Sequence, residues 1–193
     1  MSHRTRARVT KHDPMHVTVR LVEDVPSLRT EAARGVVQDA IERANARGRI
    51  RVVHYSVQRN HLHLIVEADD RDAMSNGMQG LLVSLARRLN GLLQRAGRVF
   101  ADRYHDVVLR TPAAVRNALA YVLNNHLRHD RRRRPVDPFS SSAWFDGWRQ
   151  ALTENDLSRA GREVVARARS WLLRVGWRRR GRIDVGFVPG RPG

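Results

Sequence analysis

His61 and His63 are separated by one aliphatic residue. In a β-strand, residues i and i+2 lie on one face, so both imidazoles would be directed at the same point. Leu62, Leu64 and Val66 would then lie on the opposite face, against a core. Paired imidazoles on a polar face are typical of a metal site. The alternative is a chance pair of surface histidines, since the chain has nine.

Tyr121 and Asn125 stand four residues apart and would share one face of a helix. If that face covers the sheet, Asn125 can add an amide oxygen to the two imidazoles, and Tyr121 can present its hydroxyl beside the metal. A metal-bound phosphodiester is electrophilic, and a phenol favoured as phenolate by nearby cations is a possible nucleophile. Tyr55 and Tyr104 are the competing tyrosines, but neither has a metal-ligand partner one helical turn away.

The predicted strands and helices determine where these residues lie relative to one another. Hydrophobic periodicity and capping residues predict strands over 16–22, 50–57, 61–67 and 105–109 and helices over 28–47, 71–96 and 112–127. This order is the split βαβ arrangement of an α+β ferredoxin-like domain, with an antiparallel sheet and two helices on one face. The third helix, which carries Tyr121, is expected on or beside the open face.

The 193 residues divide into three predicted parts: a basic N-terminal arm (1–13), a catalytic domain (14–134) and an aromatic, arginine-rich C-terminal extension (135–193). We expect the extension to be helical, with an amphipathic helix over 154–174. Its aromatic side chains could stack on bases, but anchoring of the extension to the domain is favoured. These aromatic residues are Trp144, Phe145, Trp148, Trp171 and Trp177.

Charge indicates a polyanionic partner. The chain has 36 Lys and Arg against 19 Asp and Glu, a formal net charge of +17. Arginine suits phosphate because its planar fork binds two oxygens, so nucleic acid is favoured over an anionic membrane surface. A run of arginines after the third helix is expected to track phosphates, with a solvated charge run as the alternative. It comprises Arg128, Arg131, Arg132, Arg133 and Arg134.

The composition excludes several classes of protein chemistry and location. Cysteine is absent, which removes disulfide frameworks and thiol chemistry. No apolar run approaches the roughly 20 residues that span a bilayer, and the basic N-terminus lacks a signal-peptide pattern. We therefore expect a protein without membrane partner or small-molecule cofactor, located in the bacterial cytoplasm and associated with the nucleoid through DNA.

Two motifs carry a family resemblance. The stretch 60–63 reads Asn-His-Leu-His, and the helix over 120–125 carries Tyr121 followed four places later by Asn125. Together with the strand order, they resemble the single-tyrosine HUH transposases of the IS200 type, most of all the REP-associated tyrosine transposases. The likeness runs over about 14–148. His126 stands where that branch usually has proline; it could be a spare ligand, a phosphate contact or a cap.

The resemblance implies a metal-dependent tyrosine transposase that cleaves and rejoins single-stranded DNA near hairpins through a 5'-phosphotyrosine intermediate. Tyr121 would be the nucleophile, and His61, His63 and Asn125 would hold Mg²⁺ or Mn²⁺. Two imidazoles by themselves would suggest a borderline metal such as zinc, so this metal preference rests on the resemblance.

Two other functions stay open. One is a domesticated, non-catalytic protein that binds hairpin DNA; the other is a metal-dependent phosphodiesterase that uses water. Oligomeric state is also open, with a monomer favoured because the REP-associated branch can work as monomers.

Overall fold

The computed structural model describes residues 9–128 and 136–190, and its centre is a four-stranded sheet. In chain order the elements are β1 (Met15–Arg20), α1 (Glu31–Arg47), β2 (Ile50–Val57), β3 (His61–Ala68), α2 (Arg71–Leu92), β4 (His105–Val108), α3 (Pro112–Asn124), α4 (Glu154–Leu157) and α5 (Trp171–Arg174). The strand order is β2-β3-β1-β4, and every neighbouring pair is antiparallel. This arrangement confirms the predicted α+β, ferredoxin-like fold.

Capping residues set where the helices begin. The hydroxyl of Thr111 accepts a hydrogen bond from the Ala114 amide at 3.1 Å, and Pro112 occupies the first turn of α3. Thr30 caps α1 in the same way, so this helix begins three residues later than predicted. Gly48, with φ of 73°, ends it in the left-handed conformation that glycine adopts without strain.

The sheet separates two apolar clusters. One lies between the sheet and the pair α1 and α2, and includes Val17, Leu62 and Leu64. The other lies on the opposite face, between the sheet and α3, and includes Ile65 and the apolar side of α3. Because strand residues alternate, the residues next to Leu62 and Leu64 on β3 lie on the α3 side. The histidine pair is therefore covered by α3.

The prediction of one helix over 154–174 is wrong. The structure has only the single turns α4 and α5 there, joined by a non-helical segment that runs beside β2. In this segment the Ala166 amide donates to the Val52 carbonyl at 2.9 Å, and the Val164 carbonyl accepts from the Asn45 side chain at 2.9 Å. The segment thus occupies hydrogen-bonding groups at the edge strand, which outweighs its helical periodicity.

A buried carboxylate also fixes the extension to the sheet. Glu67, on β3, accepts hydrogen bonds from the backbone amides of Arg169 and Ser170, both at 2.8 Å. Ser170 in turn caps α5. The start of α5 is therefore held directly against the sheet.

The aromatic residues of the extension divide by burial. Phe145, Trp148 and Trp177 are buried in the cluster that contains α3, and the Phe145 and Trp148 rings meet edge to face at 5.0 Å. Trp144 and Trp171 are 39% and 48% exposed. The three buried rings are thus packed as anchors.

Among the described helices, none combines the length and hydropathy that crossing a bilayer requires.

His54 gives the fold a predicted acid sensitivity. Its ring is buried among Ser141 and Phe145. Burial lowers its pKa to about 4, and nearby Asp146 offsets only part of this shift. In the unfolded chain the same group takes up a proton near pH 6.5. Stability that is present above pH 6.5 is therefore lost as the pH falls toward 4, by about 1 kcal/mol per pH unit.

Replacing His54 by asparagine should reduce this pH dependence. We expect urea unfolding of His54→Asn between pH 7 and 4.5 to lose less stability per pH unit than the native chain. The native chain at pH 7.5 is the reference, since His54 is neutral there in both states. Equal slopes for the two proteins would show that His54 does not resist protonation in the fold.

Candidate active site

The pairing register of β1 and β3 places the residues of the candidate site next to one another. Thr18 pairs with His63 and Arg20 with His61, so the α3-facing residues of the two strands lie side by side. His16, two residues before Thr18, shares that face. Three histidine rings consequently form a continuous row, with centroids 5.1 Å apart for His16 and His63 and 4.7 Å apart for His61 and His63.

Hydrogen bonds orient both rings of the predicted pair. Nδ1 of His61 lies 2.9 Å from Oδ1 of Asn60, which can only accept, so this nitrogen carries the proton. Nδ1 of His63 lies 3.1 Å from Nε2 of His16 and 3.2 Å from the Thr18 hydroxyl. In the tautomer with a proton on Nδ1, His63 donates to one of these neighbours and its Nε2 keeps its lone pair, as a metal ligand requires.

The two Nε2 atoms lie 3.0 Å apart. Two ring nitrogens at this distance share either a proton carried by one of them, as a hydrogen bond, or a cation. Ligands about 2.1 Å from an ion and at right angles around it are separated by about 3.0 Å. His61 and His63 therefore have the spacing of two neighbouring ligands of one ion, and their other nitrogens carry the outer hydrogen bonds common to metal-binding histidines.

Tyr121 lies directly over this row. Its ring meets His63 edge to face at 5.1 Å and His16 at 5.7 Å, and its side chain is buried with 6% exposed. The guanidinium of Arg128 lies 5.4 Å from the centre of the same ring. The structure thus brings the predicted nucleophile and the histidine pair together, with a cation beside the phenol ring.

The other two tyrosines lie elsewhere. Tyr55 belongs to the cluster under α1 and α2, where its hydroxyl accepts a hydrogen bond from Gln38 at 3.0 Å. Burial raises the pKa of Tyr55, which disfavours its phenolate. Tyr104 packs against the same cluster. Of the three tyrosines in the chain, only Tyr121 is on the face that carries the histidines.

The adjacent amides at the end of α3 differ in their surroundings. Asn124 donates through its side-chain nitrogen to the carbonyls of Asp184 and Phe187, each at 3.0 Å, while its buried Oδ1 has no hydrogen-bond partner among the described residues. Asn125 is buried and is the C-cap residue of α3. The choice of Asn125 as the metal ligand therefore stays a prediction from its spacing of four residues from Tyr121.

No three His, Asp or Glu residues among the described ranges are grouped so that they could hold a metal ion alone. Within these ranges a third ligand would have to be of another residue type, and an asparagine amide fits. His126 is buried and lines a cavity that also touches His61. It therefore lies beside the site without completing a three-histidine set.

Of the predicted phosphate-binding arginines, only Arg128 is within the described residues. It is exposed, and it also donates to the Pro189 carbonyl. Arg131, Arg132, Arg133 and Arg134 lie outside the described residues, and their role stays a prediction.

Sequence reasoning missed His16 and Thr18. Both lie on the polar face of an alternating strand, which is a signal that the sequence contains. Their contact with His63 depends on the register between β1 and β3, which strand periodicity cannot give.

Comparison with known proteins agrees with the fold. No protein-family model and no curated protein matches the sequence. Among solved structures, a REP-associated tyrosine transposase bound to a REP hairpin is similar to 73% of this chain and 82% of its own, with 18% identity and a TM-score of 0.59. A protein from Deinococcus radiodurans R1 named as a candidate transposase is similar to 55% of this chain and 83% of its own, with 15% identity and a TM-score of 0.42.

The first of these similarities covers most of the chain, and it is to the branch that the two sequence motifs resemble. The resemblance is therefore confirmed at the level of the fold: the chain has the fold of the REP-associated tyrosine transposases.

Proposed function

We propose that this protein is a tyrosine transposase that cleaves and rejoins single-stranded DNA beside a hairpin through a covalent link to Tyr121. The contact between the Tyr121 and His63 rings, 5.1 Å apart, carries this proposal. It joins a nucleophile from α3 to a ligand pair from β3, and a protein that only bound DNA would need neither.

The histidine pair and an amide would hold the ion. His61 and His63, through Nε2, and Asn125, through its side-chain oxygen, are the proposed ligands of Mg²⁺ or Mn²⁺. When bound, the ion would orient the phosphodiester and offset the charge that develops on it during the reaction.

Tyr121 performs the transfer in this proposal. Its phenol loses a proton, and its oxygen forms a bond to phosphorus while the bond from phosphorus to the 3'-oxygen breaks. The 3'-oxygen leaves as a hydroxyl after taking up a proton, and the 5'-phosphate stays joined to the tyrosine. One phosphodiester replaces another, so the 3'-hydroxyl can reverse the step without an external energy source.

Hairpin DNA is the proposed substrate. The similar transposase was solved bound to a REP hairpin. The net charge of +17 suits a phosphate backbone, and it predicts affinity that falls steeply with salt. No separate nucleotide or redox cofactor is needed for the transfer described above.

A labelled oligonucleotide tests the proposal. We would take a hairpin from palindromic repeats flanking the gene, with unpaired arms on both sides, label its 5' and 3' ends separately, and add Mg²⁺ or Mn²⁺. We expect a protein–DNA adduct that survives denaturation and carries only the 3'-end label. Cleavage without an adduct would favour the water-using phosphodiesterase, and binding without cleavage would favour the non-catalytic protein.

His16 is expected to support metal binding through His63. Its Nε2 lies 3.1 Å from His63 Nδ1 and helps to hold the ring in the tautomer that exposes Nε2. We expect His16→Leu to weaken Mn²⁺ binding by about tenfold, the lower end of the range for outer partners, because Thr18 still contacts the same nitrogen. Titration of free Mn²⁺ by electron paramagnetic resonance measures this affinity.

A partial rescue separates orientation from packing. His16→Gln keeps a polar atom on this side chain and should bind Mn²⁺ more tightly than His16→Leu. If the two variants bind Mn²⁺ as tightly as the native protein, His16 does not position His63.

A further inference from the structure

A cavity of about 940 Å³ adjoins the candidate active site. It is bounded by the turn between β2 and β3, by the segment that follows β1, and by the residue after Asn125. His61 and His126 are both part of its wall. Its volume falls within the roughly 300–1,000 Å³ typical of sites for small organic groups.

The wall has an apolar side and a polar side. Val22, Val25 and Pro26 supply apolar surface, while Gln58 and Asn60 supply amides. A nucleobase has the matching character, with flat faces that pack on apolar groups and an edge that forms hydrogen bonds. The cavity is therefore suited to a single unstacked base.

Gln58 is the best fixed of the polar groups. It is only 3% exposed, and its Nε2 donates to the Ser56 hydroxyl at 2.6 Å. This bond orients the amide and leaves its oxygen as an acceptor. An amide held in one orientation can distinguish between bases, whereas a mobile one adapts to any of them.

Charge along the wall suits the phosphates on either side of a base. Arg59 is exposed at the turn, and Arg29 lines the same cavity. The Arg29 guanidinium is fixed by Asp137, with contacts of 2.8 and 3.0 Å, and by the Val57 carbonyl at 2.9 Å. Glu23 is the acidic member of the wall.

We propose that this cavity takes up the unpaired nucleobase that adjoins the scissile phosphate, with Gln58 reading its edge and Arg59 binding its backbone. This inference rests on the proposed function, because a phosphodiester positioned at His61 and His63 places the neighbouring nucleotide beside the shared wall. The cavity thereby fixes which phosphate Tyr121 attacks.

Fluorescence can locate the base. We would bind the Tyr121→Phe protein, without added metal, to hairpin oligonucleotides that carry 2-aminopurine at one unpaired position at a time. Phe, Tyr and Trp are absent from the wall as far as the structure describes the chain, so a base taken into the cavity loses its stacking on the neighbouring bases. We expect a severalfold rise in fluorescence at one position only, and an unchanged signal at every position would overturn the inference.

Affinity then tests the role of Gln58. An abasic nucleotide at that position should weaken binding to the native protein by about tenfold, within the range for loss of one bound base. The same abasic change should cost little in Gln58→Leu, which has already lost the contact to the base edge. Arg59→Ala, at an exposed position, removes a backbone contact, so it should weaken binding to both oligonucleotides and keep the abasic penalty. Gln79→Leu, on the exposed surface of α2, is the matched control and should show the native abasic penalty.

The outcomes separate this inference from the proposed function. If the native protein forms no adduct but the position-specific responses remain, the base site stands and the tyrosine chemistry is wrong. If the adduct forms but the abasic penalty is equal in native protein and Gln58→Leu, the chemistry stands and the base site is wrong.

Discussion

Replacing Tyr121 by phenylalanine is expected to abolish covalent attachment to DNA, with cleavage reduced by at least about a thousandfold. The substitution removes one oxygen and keeps the ring that packs against His63 and His16. Hairpin affinity should therefore stay near the native value. Quantifying the denaturation-resistant adduct and the cleaved strand in one gel, beside a binding isotherm, measures both effects.

Tyr104→Phe is the matched control, because it makes the same chemical change at a residue that packs against the other cluster. It should leave adduct formation near the native rate. Efficient cleavage by Tyr121→Phe would show that water is the nucleophile, and would remove Tyr121 from the mechanism.

Replacing His63 by glutamine is expected to have the second large effect. The imidazole contributes one of the two Nε2 atoms that lie 3.0 Å apart, so its loss removes a proposed ligand and the outer bonds that orient it. We expect Mn²⁺ affinity to fall by at least about a hundredfold and adduct formation to fall by at least about a thousandfold. Isothermal titration with Mn²⁺ and the adduct assay give the two values.

His12→Gln makes the same substitution at an exposed histidine and should leave both quantities unchanged. If His63→Gln loses adduct formation but binds Mn²⁺ normally, His63 acts on a proton or on the phosphate and is not a ligand. If both quantities are native, the histidine pair has no part in the reaction.

The sequence allowed the sheet and its three long helices to be predicted because their signals are local. Alternation gives each strand, and cap residues such as Thr111 and Pro112 give a helix start. The helix expected over 154–174 failed for the opposite reason. Its backbone meets groups far away in sequence, such as the Val52 carbonyl and the Glu67 carboxylate, and no window of sequence contains those partners.

The candidate site also has a part that local sequence patterns predict and a part that depends on contacts between distant residues. Residues two apart on a strand and four apart on a helix could be paired from spacing alone, which identified His61, His63, Tyr121 and Asn125. The approach of Tyr121 to His63 additionally required α3 to cover the sheet, and the predicted order of strands and helices supplied that expectation. The cavity beside His61 comes from segments distant in sequence, so local patterns could not reveal it.

The placement of α3 has a consequence for any shortened form of the protein. One side of this helix contacts β2 and β3, and another contacts α5 and the turn around Trp177. A polypeptide that stopped before residue 136 would still contain every residue proposed to do chemistry. The helix that bears the nucleophile would, however, have lost its outer layer and would present leucine and valine side chains to water. The C-terminal extension thus holds the catalytic helix in place by packing, although it supplies none of the proposed reacting groups.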